Sequence, residues 1–461
     1  MILNTKLGKI VLILALGLDR LSLGRAEDTN NQSTASPSAA YPGLKRVIPG
    51  RMLVHAPATQ PACSKLPTSY ELGSCFQLDR TNCMLVSNLD EQGGPDLCVG
   101  NDAFIFQKLS DIKADKAIII NRAEPEFKSP SQPGTSFLAK YPVSGFFVPL
   151  GALLPNGQPH PGAGTGLLMS SCVAYNSDRS DPTAAGRTNS NWKAWDQVVE
   201  FIQVSWDGKE LKINSNHKVR EVLGQPFTDA PFSRLAPIDQ GFVGICAFGG
   251  GKLHPVRFDW DGQSWAPTSF GPLFTVTGDE FESTILHQGD RFLASTRDDK
   301  MAKVRIYSST DGVNFKFLFD AKNHYVPRVL NKGLDGSVYL ATDPGPGFLR
   351  NPLLAYPMIG DSFGQPVTIY DQGGIRNDKG DAIPFVDHGQ ADNVFLEGRW
   401  RHLIIYRVCD LKERTLYGFQ KSQARRLQGD KGPIPKRPTS GVYVTEFEYD
   451  KVVAPYHFAN E

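Results

Sequence analysis

Short apolar runs recur along the chain in a pattern typical of a repeated all-β unit. Five of them align as the second strand of successive repeats, at residues 167–172, 242–247, 292–297, 338–343 and 402–407. Most are separated by about fifty residues, a period typical of β-propeller blades, and the gap is longer where a polar loop intervenes. Three of the strands that follow end in Asp-Gly turns, at Asp207-Gly208, Asp261-Gly262 and Asp311-Gly312.

The run from Phe281 to Phe317 is the clearest single repeat. Two strand-like pieces, 283–287 and 292–297, are joined by a Gly-Asp turn, and a third piece, 302–308, leads into the Asp311-Gly312 turn. Alternating apolar and polar residues between such turns predict an antiparallel meander.

These repeats predict an all-β fold, a five- or six-bladed β-propeller spanning residues 101–461. Residues 441–449 alternate cleanly and can close the ring by pairing with an early strand. Two packed β-sandwiches are the alternative, since they also contain many strands, although they do not require regular spacing.

The first 26 residues are typical of a secretory signal peptide. Lys6 and Lys9 precede an apolar run over 10–18, and Ala26 suits a cleavage site. The apolar run is short for a membrane anchor, the alternative interpretation. We therefore predict a secreted or periplasmic protein, with residues 27–41 as a disordered polar linker.

Residues 42–100 form a predicted cysteine-containing N-terminal segment ahead of the propeller. Export permits disulfides, and two bridges can form among its four cysteines, with the pairing left open: Cys63, Cys75, Cys83 and Cys98. Three further cysteines lie in apolar strand patterns and are expected to be buried: Cys172, Cys246 and Cys409. Because neither group has zinc-site spacing, we predict no metal and no cofactor.

Charge and motifs narrow the classes of partner. The 461 residues carry a formal net charge of +1, which gives no reason to expect nucleic acid or an anionic membrane surface as partner. The glycine fingerprints of P-loop and dinucleotide-binding proteins are not found in the sequence.

Candidate chemistry lies where the first strand of a blade opens at the propeller axis. Counting back from three second-strand ends gives the same offset of fifteen residues for the pairs Glu282 and Arg297, Arg328 and Asp343, and Asp392 and Arg407. The offset predicts that these side chains converge on one mouth of the channel.

Paired carboxyl groups can cleave a glycosidic bond, because one donates a proton and the other attacks the sugar or activates water. We predict Glu282 and Asp392 as this pair. The predicted substrate-binding residues are Arg297, Arg328, Arg407, Asp343, Asp387 and His388. A structural ion-pair network, or a ring that only binds ligand, is the alternative.

One turn resembles a motif of the sialidase superfamily. Ser309-x-Asp311-Gly312-x-x-Phe315 resembles the Asp box of its blades, with one residue fewer between Asp and Gly. The resemblance, over roughly residues 145–450, implies that Glu282 matches the glutamate that partners the nucleophile. Arg297 then matches a carboxylate-binding arginine.

Two departures from that family point away from sialic acid. Phe147 stands where the family has its first triad arginine, and Asp392 where it has its tyrosine nucleophile. An aspartate there is closer to five-bladed glycosidases. We therefore predict a secreted carbohydrate-active protein, a glycoside hydrolase acting on a poly- or oligosaccharide. The alternative is a non-catalytic extracellular propeller that binds a glycan or a protein.

Overall fold

The computed structural model describes residues 41–64, 67–91, 98–130, 134–176, 194–275, 280–298, 303–322, 329–343, 352–371, 384–410 and 441–458. Within these ranges the regular structure is β, apart from two 3-10 helices at Leu109–Asp111 and Ala114–Lys116. Neither helix is long and apolar enough to cross a membrane. The predicted signal peptide, and the linker up to residue 40, lie outside the described residues.

The described residues contain 29 strands. In order they are β1 Leu44–Val54, β2 Thr68–Gln77, β3 Cys83–Glu91, β4 Cys98–Phe106, β5 Ile118–Arg122, β6 Glu124–Phe127, β7 Ser136–Val148, β8 Ala152–Leu153, β9 Thr165–Asn176, β10 Ala194–Trp206, β11 Leu211–Val219, β12 Glu221–Val222, β13 Gln225–Asp229, β14 Ala236–Ile238, β15 Gly241–Phe248, β16 Lys252–Trp260, β17 Trp265–Phe270, β18 Phe281–Gln288, β19 Arg291–Asp298, β20 Lys303–Ser309, β21 Lys316–Lys322, β22 Val329–Lys332, β23 Val338–Thr342, β24 Leu353–Pro357, β25 Val367–Tyr370, β26 Pro384–Leu396, β27 Arg399–Asp410, β28 Gly441–Tyr449 and β29 His457–Phe458.

Hydrogen bonding joins these strands into sheets of unequal size. The four-stranded sheets are β1-β28-β27-β26, β18 to β21 and β22 to β25. A six-stranded sheet holds β12 to β17, and a nine-stranded sheet holds β2 to β7 and β9 to β11. The nine-stranded sheet contains two antiparallel meanders joined by one parallel pair, Val99 and Lys140. The prediction of five or six blades is therefore wrong for the described residues, where meanders merge into sheets of up to nine strands.

The sheets surround a common axis. Contacts run in chain order from β2 to β7, β9 to β13, β15 to β18, β18 to β22 and β22 to β26, and β26 returns to β2. The ring is closed by β1, which pairs antiparallel with β28 from Leu44 opposite Tyr449 to Val54 opposite Val442. This arrangement is a β-propeller, and it confirms the predicted all-β class and the closing role of residues 441–449.

The separate cysteine-containing extension predicted for residues 42–100 is not shown. Instead, β1 to β4 are strands of the closing sheet and of the nine-stranded sheet. Cys75 and Cys83 lie in the adjacent strands β2 and β3 but do not form a disulfide with each other. Cys172 and Cys246 are buried, as expected, and the side chain of Cys409 lies outside the described set.

Apolar side chains pack between neighbouring sheets. One cluster brings Leu85 and Phe104 of the nine-stranded sheet against Ile405 and Val444 of the closing sheet. Contact between neighbouring sheets removes these apolar faces from water. Each Å² of apolar surface buried in this way contributes about 25 cal/mol to the stability of the fold.

The predicted Asp-Gly turns link the third and fourth strands of three meanders. In each, the aspartate carboxylate accepts backbone N–H groups two and three residues on, as Asp311 does from Val313 at 2.9 Å and Asn314 at 2.7 Å. Asp207 and Asp261 do the same. The Ser309 hydroxyl also accepts a hydrogen bond from the Gly312 N–H at 3.0 Å. Side-chain to backbone hydrogen bonds within the turn therefore stabilise the segment that resembles an Asp box.

Gly145 allows β7 and β9 to approach closely. Its φ is +138°, and a Cβ there would lie against the carbonyl oxygen of Leu167. We expect Gly145→Ala to destabilise the fold by about 2 kcal/mol, measured by urea unfolding. Gly157→Ala is the matched control, because Gly157 also has a positive φ but open space around its Cβ position. Equal losses in the two variants would contradict the steric explanation.

Candidate functional site

One inner strand is interrupted by a segment that crosses the propeller axis. Both β13 and β14 pair with β15, and residues 230–235 between them leave the sheet. We call these residues the crossing segment. Its Arg234 reaches Asp392 in β26, with 2.5 Å between Nε and Oδ1, and its guanidinium lies 4.4 Å from the centre of the Phe76 ring in β2. The crossing segment therefore connects its own sheet to two strands that are not its neighbours in the ring.

Asp392 is the buried end of this connection. Its Oδ2 accepts the backbone N–H of Cys75 at 2.5 Å, and its side chain is fully shielded from solvent. Burial raises the pKa of Asp392 to about 6, although Arg234 and the Cys75 N–H both favour the charged form. Asp392 is thus held away from solvent, in β26 and hydrogen-bonded to β2.

Asp229 lies at the start of the crossing segment, at the end of β13. Its carboxylate accepts a hydrogen bond from the hydroxyl of Ser171 in β9. Protein atoms surround the carboxyl and raise its pKa to about 6, with a further contribution from the charge of Glu282. The residue as a whole is exposed, so Asp229 is accessible to water.

Glu282 opens β18 in a strained conformation. Its φ is +48°, within an irregularity of the pairing with β19, and such bulges redirect a side chain. Its Oε2 lies 2.5 Å from Nη1 of Arg297, whose guanidinium packs 4.8 Å from the centre of the Phe281 ring. Glu282 is thus held by an ion pair close to Asp229, whose pKa its charge helps to raise.

His388, like Glu282, has a positive φ angle. Its φ is +58°, in a bulge of β26, and its ring lies 5.2 Å from that of Phe232 in the crossing segment. Two predicted site residues, Glu282 and His388, therefore occupy strained backbone positions, which are common at functional sites.

The structure distributes the other predicted residues as follows. Arg407 is buried and pairs with Glu71 of β2 at 2.6 Å. Asp343 is buried just beyond β23, where its charge contributes to a raised pKa of Tyr356. Arg328 lies outside the described residues, as does the side chain of Asp387.

The fifteen-residue offset does not mark equivalent positions in the structure. Phe281, next to Glu282, stands opposite Arg297, but Arg407 stands opposite Asp387, because the β26–β27 turn lies closer to Asp392 than to Arg407. Among the described residues no contact joins the carboxyls of Glu282 and Asp392. The acid whose pKa responds to Glu282 is Asp229.

Asp229, Ser171 and Arg234 were missed by reasoning from sequence. They come from a short strand, a second strand and an irregular segment, and no periodic pattern connects them. A weak signal was present in Asp229-Ala230-Pro231, where a proline interrupts an otherwise strand-like run.

A serine motif elsewhere does not form a second site. Residues 360–364 read Gly-Asp-Ser-Phe-Gly, the spacing of a hydrolase nucleophile elbow. They lie between β24 and β25, where the hydroxyl of Ser362 donates to the carbonyl of Ile359 at 3.0 Å. A nucleophile elbow instead connects a strand to a helix, so this match carries no catalytic assignment.

Comparison with solved structures supports the fold. A protein of unknown function from Dyadobacter fermentans superimposes with a TM-score of 0.51 at 12% identity, over 88% of this chain and 100% of that one. The NanB sialidase from Streptococcus pneumoniae, solved with 2-[(3-chlorobenzyl)ammonio]ethanesulfonate, also gives 0.51, at 10% identity, over 88% of this chain and 71% of that one. No family model matches the chain, and no curated protein matches its sequence.

The fold is thus that of a divergent sialidase-like β-propeller. At such low identity the likeness concerns the fold alone, and it confirms the resemblance predicted from the sequence at that level.

Proposed function

We propose that this protein is a glycoside hydrolase whose reacting groups lie at the propeller axis. The observation that carries the proposal is the unequal state of two neighbouring carboxyls. Asp229 has a pKa raised to about 6, while Glu282 is ion-paired with Arg297. A proton donor beside an ionised carboxylate is what cleavage of a glycosidic bond requires.

In this proposal Asp229 gives its proton to the leaving oxygen as the glycosidic bond breaks. Ser171 orients the Asp229 carboxyl, and Glu282 stabilises the positive charge that develops on the sugar or activates the water that completes hydrolysis. The crossing segment closes the axis beneath them through Arg234 and Asp392, so Asp392 positions the site rather than touching substrate.

The signal peptide predicted over residues 1–26 supports a role outside the cytoplasm. A polysaccharide or oligosaccharide is the proposed partner. The direct experiment incubates the purified full chain with a panel of oligosaccharides and measures new reducing ends. Release of sugar supports hydrolysis, whereas retention of a glycan without release would favour a binding propeller.

Activity should depend on pH through Asp229. A proton donor with a pKa of about 6 loses its proton as pH rises, so kcat/KM is expected to fall above pH 6. The Ser171 hydrogen bond lowers this pKa, and Ser171→Ala should therefore move the alkaline limb to higher pH. Ser205→Ala, which removes an exposed hydroxyl on β10, is the control. If the alkaline limb of the pH–rate profile is unchanged in Ser171→Ala, Asp229 is not the proton donor.

A further inference from the structure

The described arginines that reach the axis are all paired with carboxylates of the protein. These pairs are Arg234 with Asp392 at 2.5 Å, Arg297 with Glu282 at 2.5 Å, and Arg407 with Glu71 at 2.6 Å. The Arg234 and Arg407 pairs join different sheets of the ring, whereas Arg297 and Glu282 join neighbouring strands of one hairpin. Their positive charge is already neutralised before any ligand arrives.

A negatively charged sugar would meet an unfavourable site. A ligand carboxylate that binds one of these guanidinium groups would have to displace the protein carboxylate or share the cation with it, and the two negative charges would then repel each other. Asp229 adds another acid close to Glu282. An anionic ligand therefore faces repulsion without a free cation among these three arginines.

A neutral sugar fits the same groups. Ionised carboxylates only accept hydrogen bonds, and sugar hydroxyls can donate them. Phe281 is 38% exposed beside Glu282, and Phe232 is half-buried in the crossing segment. Aromatic rings of this kind offer apolar surface for the C–H faces of a sugar ring.

We propose that the axial site selects uncharged sugar residues and discriminates against uronic and sialic acids. The inference rests on the proposed function and specifies its substrate class. The selectivity for uncharged sugars arises because the three arginines form ion pairs with carboxylates of the protein. These arginines therefore stabilise the structure and do not bind the substrate.

The test compares a neutral oligosaccharide with its matched uronic acid oligosaccharide, using isothermal titration of the full chain. The neutral ligand is expected to bind at least about tenfold more tightly. Glu282→Gln removes the carboxylate partner of Arg297 and should narrow or reverse this preference. Glu221→Gln, an exposed change on β12, should leave the preference unaltered.

The outcomes separate this inference from the proposed function. Tighter binding of the acidic ligand by the native protein would overturn the substrate class and leave hydrolysis open. Neutral selectivity without cleavage supports the inference and overturns the hydrolase. Failure to bind either ligand would overturn both, and an unchanged preference in Glu282→Gln would overturn the role given to the ion pair.

Discussion

Asp229→Asn is expected to lower kcat/KM on an oligosaccharide by about 10²- to 10⁴-fold, the usual contribution of a positioned proton donor. Asparagine keeps the size of the side chain and can accept the Ser171 hydrogen bond, but it has no acidic proton. The loss should nearly disappear on an activated aryl glycoside, because that leaving group departs without protonation. Initial rates on the two substrates provide the measurement.

This pattern distinguishes the two carboxyls. Glu282→Gln should reduce turnover of both substrates, because stabilisation of the sugar cation or activation of water is needed whatever group departs. Asp290→Asn changes an exposed carboxyl in the β18–β19 turn and should have native activity. An Asp229→Asn protein that loses both substrates equally would argue against a proton-donor role.

Arg234→Gln is expected to destabilise the protein by about 3 kcal/mol at pH 8, because it leaves Asp392 buried without its cation. The folded-state pKa of Asp392, about 6, is already above the unfolded value of about 3.9, so the folded state binds more protons between them. Stability therefore falls as pH rises through this window. Removing Arg234 raises the folded pKa further and extends the fall to higher pH.

Urea unfolding at pH 4 and pH 8 measures this effect. The loss should be small at pH 4, where Asp392 is protonated, and Asp392→Asn in the Arg234→Gln background should remove the pH dependence that this pair causes. Arg46→Gln is a surface control, since Arg46 pairs with Glu448 while 63% exposed and should cost less than about 1 kcal/mol. An equal loss at both pH values would refute the assigned role of the ion pair.

The repeated hydrophobic pattern predicted the fold because each meander depends mostly on local order. The five predicted second strands fall within or next to β9, β15, β19, β23 and β27, and the Asp-Gly turns lie where their sequence places them. The ion pair of Glu282 with Arg297 was also within reach, because one hairpin contains both residues and a two-residue turn fixes their register.

The rest of the site depends on irregular backbone that has no periodic signature. The β26–β27 turn follows Leu396, four residues after Asp392, so Asp392 stands opposite Leu403 instead of Arg407, the partner that the spacing implied. The crossing segment replaces the middle of an inner strand, so neither Asp229 nor Arg234 belongs to a recognisable pattern. The limits of the sheets were also not predictable from the sequence, because one parallel pair, Val99 with Lys140, joins two meanders into one sheet.

The pairing of β1 with β28 has a consequence for biosynthesis. One partner is made near the beginning of the chain, and the other only after Tyr449 has left the ribosomal tunnel. At ordinary elongation rates that interval is on the order of tens of seconds. Throughout it the hydrogen-bonding edge of β1 has no native partner, so the ring cannot close until the last sheet has been synthesised.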